Sequence, residues 1–226
     1  MLSGSMGRGS VEDLSGRDVD VRGWICSYRG ADIVMHKGWF RIDGVQDGDR
    51  TLAQQLLGLE TVAEYFRGAN VLDVGCAEGL IGRHCVDTWG AASVEGVTSV
   101  QYEIDEAKRQ CAGRPMEFFR CDLRSTEETF ELEWKLRLSY DVVLLLSVLH
   151  KVRDPMRLLA WAVKYAAGLI VIRLPAPIID MDRCRPGVHP VHPWMLERFD
   201  LVGEPETCIE PVSGRPEWMG IYKVRS

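Results

Sequence analysis

Val71-Leu72-Asp73-Val74-Gly75-Cys76-Ala77-Glu78-Gly79 is an apolar strand that runs through an acid into a turn bracketed by two glycines, and an Ile-containing helix follows. A turn without Cβ atoms adopts dihedrals closed to other residues and lets a ligand approach the backbone, so this unit reads as a ligand turn. Asp73 lies just before it and points toward the cavity. A pyrophosphate-binding turn would read G-x-G-x-x-G, with the helix N-terminus aimed at phosphate. The spacing Asp73-x-Gly75-x-Ala77-x-Gly79 is a different pattern.

Outward from this turn, short β-branched apolar runs alternate with helical stretches, the pattern of a parallel sheet covered by helices. The spacing predicts strands at Asn70 to Val74, Ala92 to Val97, Met116 to Cys121, Tyr140 to Leu146 and Gly168 to Arg173. Helices are predicted near 79–88, 100–111 and 154–166. Val142 to Leu146 is continuously apolar, as a strand buried on both faces must be, and belongs at the sheet centre. Phe199 to Val202 and Met219 to Val224 suit a closing antiparallel hairpin. Residues 1–10 read as a Gly/Ser-rich leader outside the fold. Residues 11–68 form an extension, with Trp24, Tyr28, Trp39 and Phe40 in need of burial and a helix from Thr51 to Phe66, expected to cover the acceptor site. Residues 69–226 form the main domain.

The D-x-G-x-A-x-G turn resembles the D-x-G-x-G-x-G signature of class I S-adenosylmethionine-dependent methyltransferases, with Ala77 at the middle glycine. The resemblance covers roughly residues 70–175. It implies a Rossmann-like three-layer α/β sandwich, with a mostly parallel seven-stranded sheet and an antiparallel C-terminal hairpin. It also implies S-adenosylmethionine as cofactor, held by Asp73, Gly75, Cys76, Ala77 and Gly79, with Asp73 on its amino-acid part.

The family's second strand normally ends G-V-D, the acid gripping both ribose hydroxyls, but this chain reads Gly96-Val97-Thr98. Val97 and Thr98 are therefore expected at the ribose. A hydroxyl is a weaker acceptor than a carboxylate, which predicts reduced cofactor affinity. Glu95 is offset from Thr98 by three residues, hence on the opposite strand face, and is expected to serve another role. Cys121-Asp122-Leu123 matches the family's adenine-binding acid and the amide after it, although Asp122 alone also suits a helix N-cap. Ser147-Val148-Leu149-His150, followed by Asp154-Pro155, resembles the element after strand four in small-molecule members, with Ser147 beside the methionine part.

Methyl transfer from a sulfonium is an in-line displacement, so alignment in a water-poor pocket supplies most of the catalysis. A hydroxyl or ammonium acceptor must lose a proton, and His150 is the candidate catalytic base, with a usual pKa of about 6.5. It equally suits capping the next helix or bonding a backbone carbonyl. Pro186 to Trp194 reads as an acceptor-side loop, part of a 177–195 segment closing the site. His189 and His192 have metal-like spacing, but the nearby prolines argue against a helix to present them, and no metal is expected.

The 226-residue chain carries a net charge of -6, which disfavours broad nucleic-acid binding, and no apolar run approaches a membrane span. Seven dispersed cysteines without a C-x-x-C pair suit reduced thiols and a cytoplasmic setting. Neither the [DN]-P-P-[YF] element for exocyclic base amines nor a Pro-Cys nucleophile for pyrimidine carbons is present.

Trp39-Phe40-Arg41-Ile42-Asp43 resembles a segment of RNA ribose 2′-O-methyltransferases. The positions of their Lys-Asp-Lys-Glu tetrad would hold Arg41, Ser147, Arg173 and Glu217, so that activity does not carry over. The leading expectation is methylation of an oxygen or nitrogen on a small polar molecule. The alternatives are a tRNA-modifying methyltransferase and a catalytically silent cofactor-binding domain.

Overall fold

The computed structural model describes residues 25–29, 32–36, 52–175, 191–203, 206–209 and 216–225. Strands β1 (Ile25–Arg29) and β2 (Asp32–His36) form an antiparallel pair of their own. Helix α1 (Leu52–Leu56) and a 3-10 helix (Leu59–Phe66) lead into β3 (Asn70–Val74) and α2 (Leu80–Asp87). Next come β4 (Ser93–Thr98), α3 (Gln101–Gln110), β5 (Met116–Arg120), α4 (Thr126–Glu133) and β6 (Tyr140–Leu146). A short 3-10 turn (Leu149–Lys151), α5 (Pro155–Val163) and β7 (Ala166–Pro175) follow. The C-terminal part holds α6 (Val191–Leu196), β8 (Phe199–Leu201), β9 (Glu206–Ile209) and β10 (Pro216–Val224).

The main sheet runs β5-β4-β3-β6-β7-β10-β8. The strands β3 to β7 pair in parallel and β10 runs antiparallel to β7, as the composition of the runs predicts. β8 and β9 share the outer edge of β10, β9 against Pro216 to Met219 and β8 against Tyr222 to Val224. The expected closing hairpin is thus a pair, β8 with β10, whose connection contributes the extra strand β9.

Period-two alternation sorts the sheet's side chains into two cores. Leu72, Val74, Val143 and Leu145 pack with Leu158, Leu159 and Ala162 of α5 and Leu132 of α4. Val71, Val142 and Leu144 face the other way, onto Leu56, Leu59, Val62 and Phe66 and onto Ile81 and Cys85 of α2. Strand β6 feeds both cores, and so stands in the middle of the sheet. The chain winds outward from β3 in one direction and from β6 in the other. The crevice at their carboxyl ends is the switch point where open α/β sheets bind ligands.

Three local expectations need correction. The predicted helix from Thr51 to Phe66 is broken at Gly58, whose φ of 82° is left-handed and cannot continue a right-handed helix. Helix α4 went unforeseen because Glu127, Glu128, Glu131 and Glu133 leave it almost no apolar face, and only Thr129 and Leu132 are buried. His192 does lie in a helix, α6, with Pro193 two residues inside its start. The first turn of a helix tolerates proline because its amides lack intrahelical acceptors anyway. His189, most of the predicted 177–195 loop, the leader and most of residues 11–50 lie outside the described residues.

Candidate active site

The turn after β3 is built around backbone conformations that side chains resist. Gly75 has φ 89°, and a Cβ placed on it would stand 2.8 Å from Cβ and Cγ2 of Val148. The amides of Gly75 and Cys76 both donate to the carbonyl of Val97, at 2.8 and 3.0 Å, which locks the turn against the end of β4. Gly79, with φ 76°, begins α2 without a side-chain cap. Ala77, at the position of the family's middle glycine, is itself left-handed with φ 47°. The backbone keeps the glycine geometry although the residue has a Cβ.

Asp73 is 3% exposed at the mouth of this turn. Burial penalises its charged form and pushes its pKa up to about 7. Across the switch point, Ser147 also has a positive φ, 55°, and its amide donates to the carbonyl of Arg173 at 2.8 Å. Its hydroxyl donates to Oε1 of Glu217 at 3.2 Å, and both side chains are buried. Arg173 Nη2 donates to the carbonyls of Gln55 and Leu57 at 2.8 and 2.9 Å, tying the C-terminal end of α1 to β7.

Asp73, Gly75, Cys76, Ser147, Arg173 and Gln55 line one small cavity, walled further by Glu78, Leu80, Ile81 and Leu146. The structure therefore brings together the two ends of the predicted site, the turn and Ser147. It adds Gln55, Arg173 and Glu217 around them. Gln55 gave no signal, being one of two adjacent glutamines in an otherwise apolar helical run. Arg173 and Glu217 stood out in the sequence only as tetrad positions, the first mismatched and the second matched.

The remaining predicted residues lie along the neighbouring strand ends. Thr98, 5% exposed, ends β4 and donates its hydroxyl to Glu103 on the first turn of α3. Next along, the amide of Cys121 donates to the carbonyl of Thr98 at 2.9 Å, so Asp122 and Leu123 continue the same edge. Asp122 accepts from the Arg124 amide at 3.0 Å and from its Nε at 2.9 Å, and the Arg124 guanidinium holds its carboxyl below the usual range. Asp122 is not the helix cap that the sequence alone allowed. That place belongs to Ser125, which accepts from the Glu128 amide at 3.1 Å.

His150 sits half-buried in the 3-10 turn after β6 and is not among the residues lining the cavity. Asp154, four residues on, caps α5 by accepting from the Arg157 amide at 2.9 Å. Glu95 points to the other face of β4, as its register requires, and holds Arg137 at 2.9 Å and the Tyr140 hydroxyl. Cys76, Cys85, Cys111 and Cys121 are buried free thiols. Burial raises all four, which keeps them as inert thiols. Among the described residues no group of three or more His, Cys, Asp or Glu could hold a metal, and no helix is long and apolar enough to cross a membrane.

Residues 47–196 match the family model described as a methyltransferase domain. The chain belongs to this methyltransferase family. No curated protein matches it. Solved structures share the fold at low identity. The N-methyltransferase NodS from Bradyrhizobium japonicum, in complex with S-adenosylhomocysteine, superposes with a TM-score of 0.57 at 17% identity, covering 77% of this chain and 84% of that one. An S-adenosylmethionine-dependent methyltransferase from Mesorhizobium loti gives 0.58 at 16%, covering 76% and 98%. A candidate RNA methyltransferase from Pyrococcus horikoshii gives 0.55 at 15%, covering 80% and 89%.

The methyltransferase is thus a class I enzyme that uses S-adenosylmethionine. Its switch-point crevice fits that cofactor. The turn packs against Val148 only because residue 75 has no Cβ, Asp73 is a buried carboxyl, and oxygen acceptors stand at the ends of β4 and β5.

Proposed function

We propose that this methyltransferase transfers the methyl group to an oxygen or nitrogen of a small polar acceptor bound next to the cofactor, at the switch-point crevice beyond Ser147. The observation that carries this reading is Ser147 on the cavity wall, whose hydroxyl donates to the buried Glu217 carboxylate. A hydroxyl held by a buried carboxylate is a fixed polar contact, which suits an acceptor that offers an oxygen or nitrogen.

In this reading Asp73 and the Gly75–Gly79 turn, with Cys76 and Ala77, hold the amino-acid end of the cofactor. Val97 and Thr98 face its ribose, Asp122 and the Leu123 amide its adenine, and Ser147 its methionine arm. The cofactor supplies an electrophilic methyl group. The protein supplies alignment, a dry wall from Leu80, Ile81 and Leu146, and a receiver for the acceptor's proton. His150 is that receiver, and Glu217 through Ser147 is the second candidate. His150→Ala and Glu217→Gln separate them: the variant lacking the base loses about 10²- to 10⁴-fold in kcat and retains its cofactor Kd.

The net charge of -6 favours a small acceptor over RNA. The test is formation of S-adenosylhomocysteine with the low-molecular-mass fraction of a cell extract and, separately, with bulk tRNA. Turnover with the small-molecule fraction is expected. Turnover with tRNA alone refutes the acceptor class, and tight cofactor binding without turnover in either supports a silent domain. A cytoplasmic location accords with four buried free thiols and is part of the same proposal.

A further inference from the structure

The end of β4 carries Thr98 where related enzymes carry an acid, yet a carboxylate stands at that place. Glu103 lies five residues further on, in the first turn of α3, and its side chain folds back so that Oε2 accepts from the Thr98 hydroxyl. Thr98 is buried and Glu103 half-buried.

The pair stands against the cofactor turn. Val74 registers with Val97, and the Val97 carbonyl takes the amides of Gly75 and Cys76, so the residue after Val97 is beside the turn. Burial raises the Glu103 carboxyl, the Thr98 bond and Lys151 on the 3-10 turn after β6 work against that rise, and the Glu103 charge is felt at the Cys76 thiol inside the turn.

We propose that Glu103 is the ribose-binding carboxylate of this methyltransferase, supplied from helix α3 instead of strand β4, with Thr98 as its positioning residue. A carboxylate accepts at about four lone-pair sites, so one bond from Thr98 orients it without exhausting it. Vicinal hydroxyls are donors that such a group takes in pairs, and charge-assisted bonds of this kind are about twice as strong as neutral ones. A Thr hydroxyl alone lacks that charge. With Glu103 behind it, the strand end recovers the anionic character that its own sequence lacks.

A helix-dipole role for Glu103 would stabilise α3 without any preference for ribose hydroxyls, so the readout is discrimination. Calorimetry on the full chain compares S-adenosylhomocysteine with its 2′-deoxy and 3′-deoxy analogues. Because no methyl acceptor is present, the outcome is independent of the acceptor proposed above.

The wild-type chain is expected to bind at least one analogue about 10- to 100-fold more weakly than the parent. Glu103→Gln is expected to bind the parent that much more weakly and to lose most of the discrimination. Glu103→Asp keeps the charge, withdraws it by one methylene and is expected to discriminate less than wild type. Thr98→Asp placed in the Glu103→Gln background restores the carboxylate on the strand and regains affinity and discrimination. Equal discrimination by wild type and Glu103→Gln overturns the proposal, as does a wild-type chain indifferent to both hydroxyls.

Discussion

Changing the pH from 8 to 6 should weaken cofactor binding about tenfold through Asp73 alone. Burial places its pKa at about 7 before any ligand binds. About ten carboxyls in eleven are then ionised at pH 8 and one in eleven at pH 6. If the carboxylate pairs with the ammonium of the cofactor's amino-acid end, only the ionised form binds well. The ratio of the two fractions is the tenfold, or about 1.4 kcal/mol.

The same group tilts stability in the opposite sense. The folded-state pKa of about 7 lies above the ordinary 3.8, so the folded chain holds this proton longer than the unfolded one. The stability it contributes is present at low pH. It falls by about 1.4 kcal/mol per pH unit as pH rises from near 4 to near 7, about 4 kcal/mol in all, and is flat above.

Isothermal titration with S-adenosylhomocysteine at pH 6, 7 and 8, in two buffers of different ionisation enthalpy, measures both the affinity and the proton released below pH 7. Asp73→Asn should bind weakly at every pH, release no such proton, and unfold at higher denaturant than wild type at pH 8. Glu103, also raised by burial, is common to both proteins and cancels in the comparison. An affinity flat between pH 6 and 8, or an equal pH slope in the Asn variant, refutes the assignment.

Gly75→Ala forces a Cβ to 2.8 Å from Val148 at a φ of 89°. It should cost about 2 to 4 kcal/mol in chemical denaturation and lower cofactor affinity, and Val148→Ala in the same chain should recover only the part of the steric share due to Cγ2, since its Cβ stays at 2.8 Å, and none of the backbone share. Tyr140→Phe removes a buried donor to Glu95 and an acceptor for the Arg137 amide. The expected loss is about 1 to 3 kcal/mol of stability with cofactor Kd unchanged, since this network lies on the far face of β4; a changed Kd would contradict that placement.

The fold was legible because its signals are local. A buried parallel strand must be apolar on both faces, so Val142 to Leu146 announced the sheet centre by composition. The glycine turn declared itself because residue 75 needs a positive φ and has no room for a Cβ. The register argument that sent Glu95 away from Thr98 needed only the period of two. Local patterning failed where tertiary context decides: at Gly58, whose left-handed φ breaks a run that otherwise reads as helix, and at α4, whose helix has almost no apolar stripe to read.

The site divides along the same line. Asp73, Gly75 and Ser147 follow from strand ends and spacing, because a parallel sheet necessarily gathers its carboxyl ends. What approaches those ends from elsewhere depends on how distant segments pack. Glu217 reaches Ser147 across 70 residues of chain, and Arg173 ties down α1 from more than a hundred residues away. Glu103 is only five residues from Thr98, yet its meaning appears only when α3 turns its first turn back over β4. By itself the sequence determined a methyltransferase fold and the place of its glycine turn, since backbone period and glycine sterics act between near neighbours. Which charges face the turn was decided by the tertiary structure alone, because side-chain burial and pairing are properties of the packed whole.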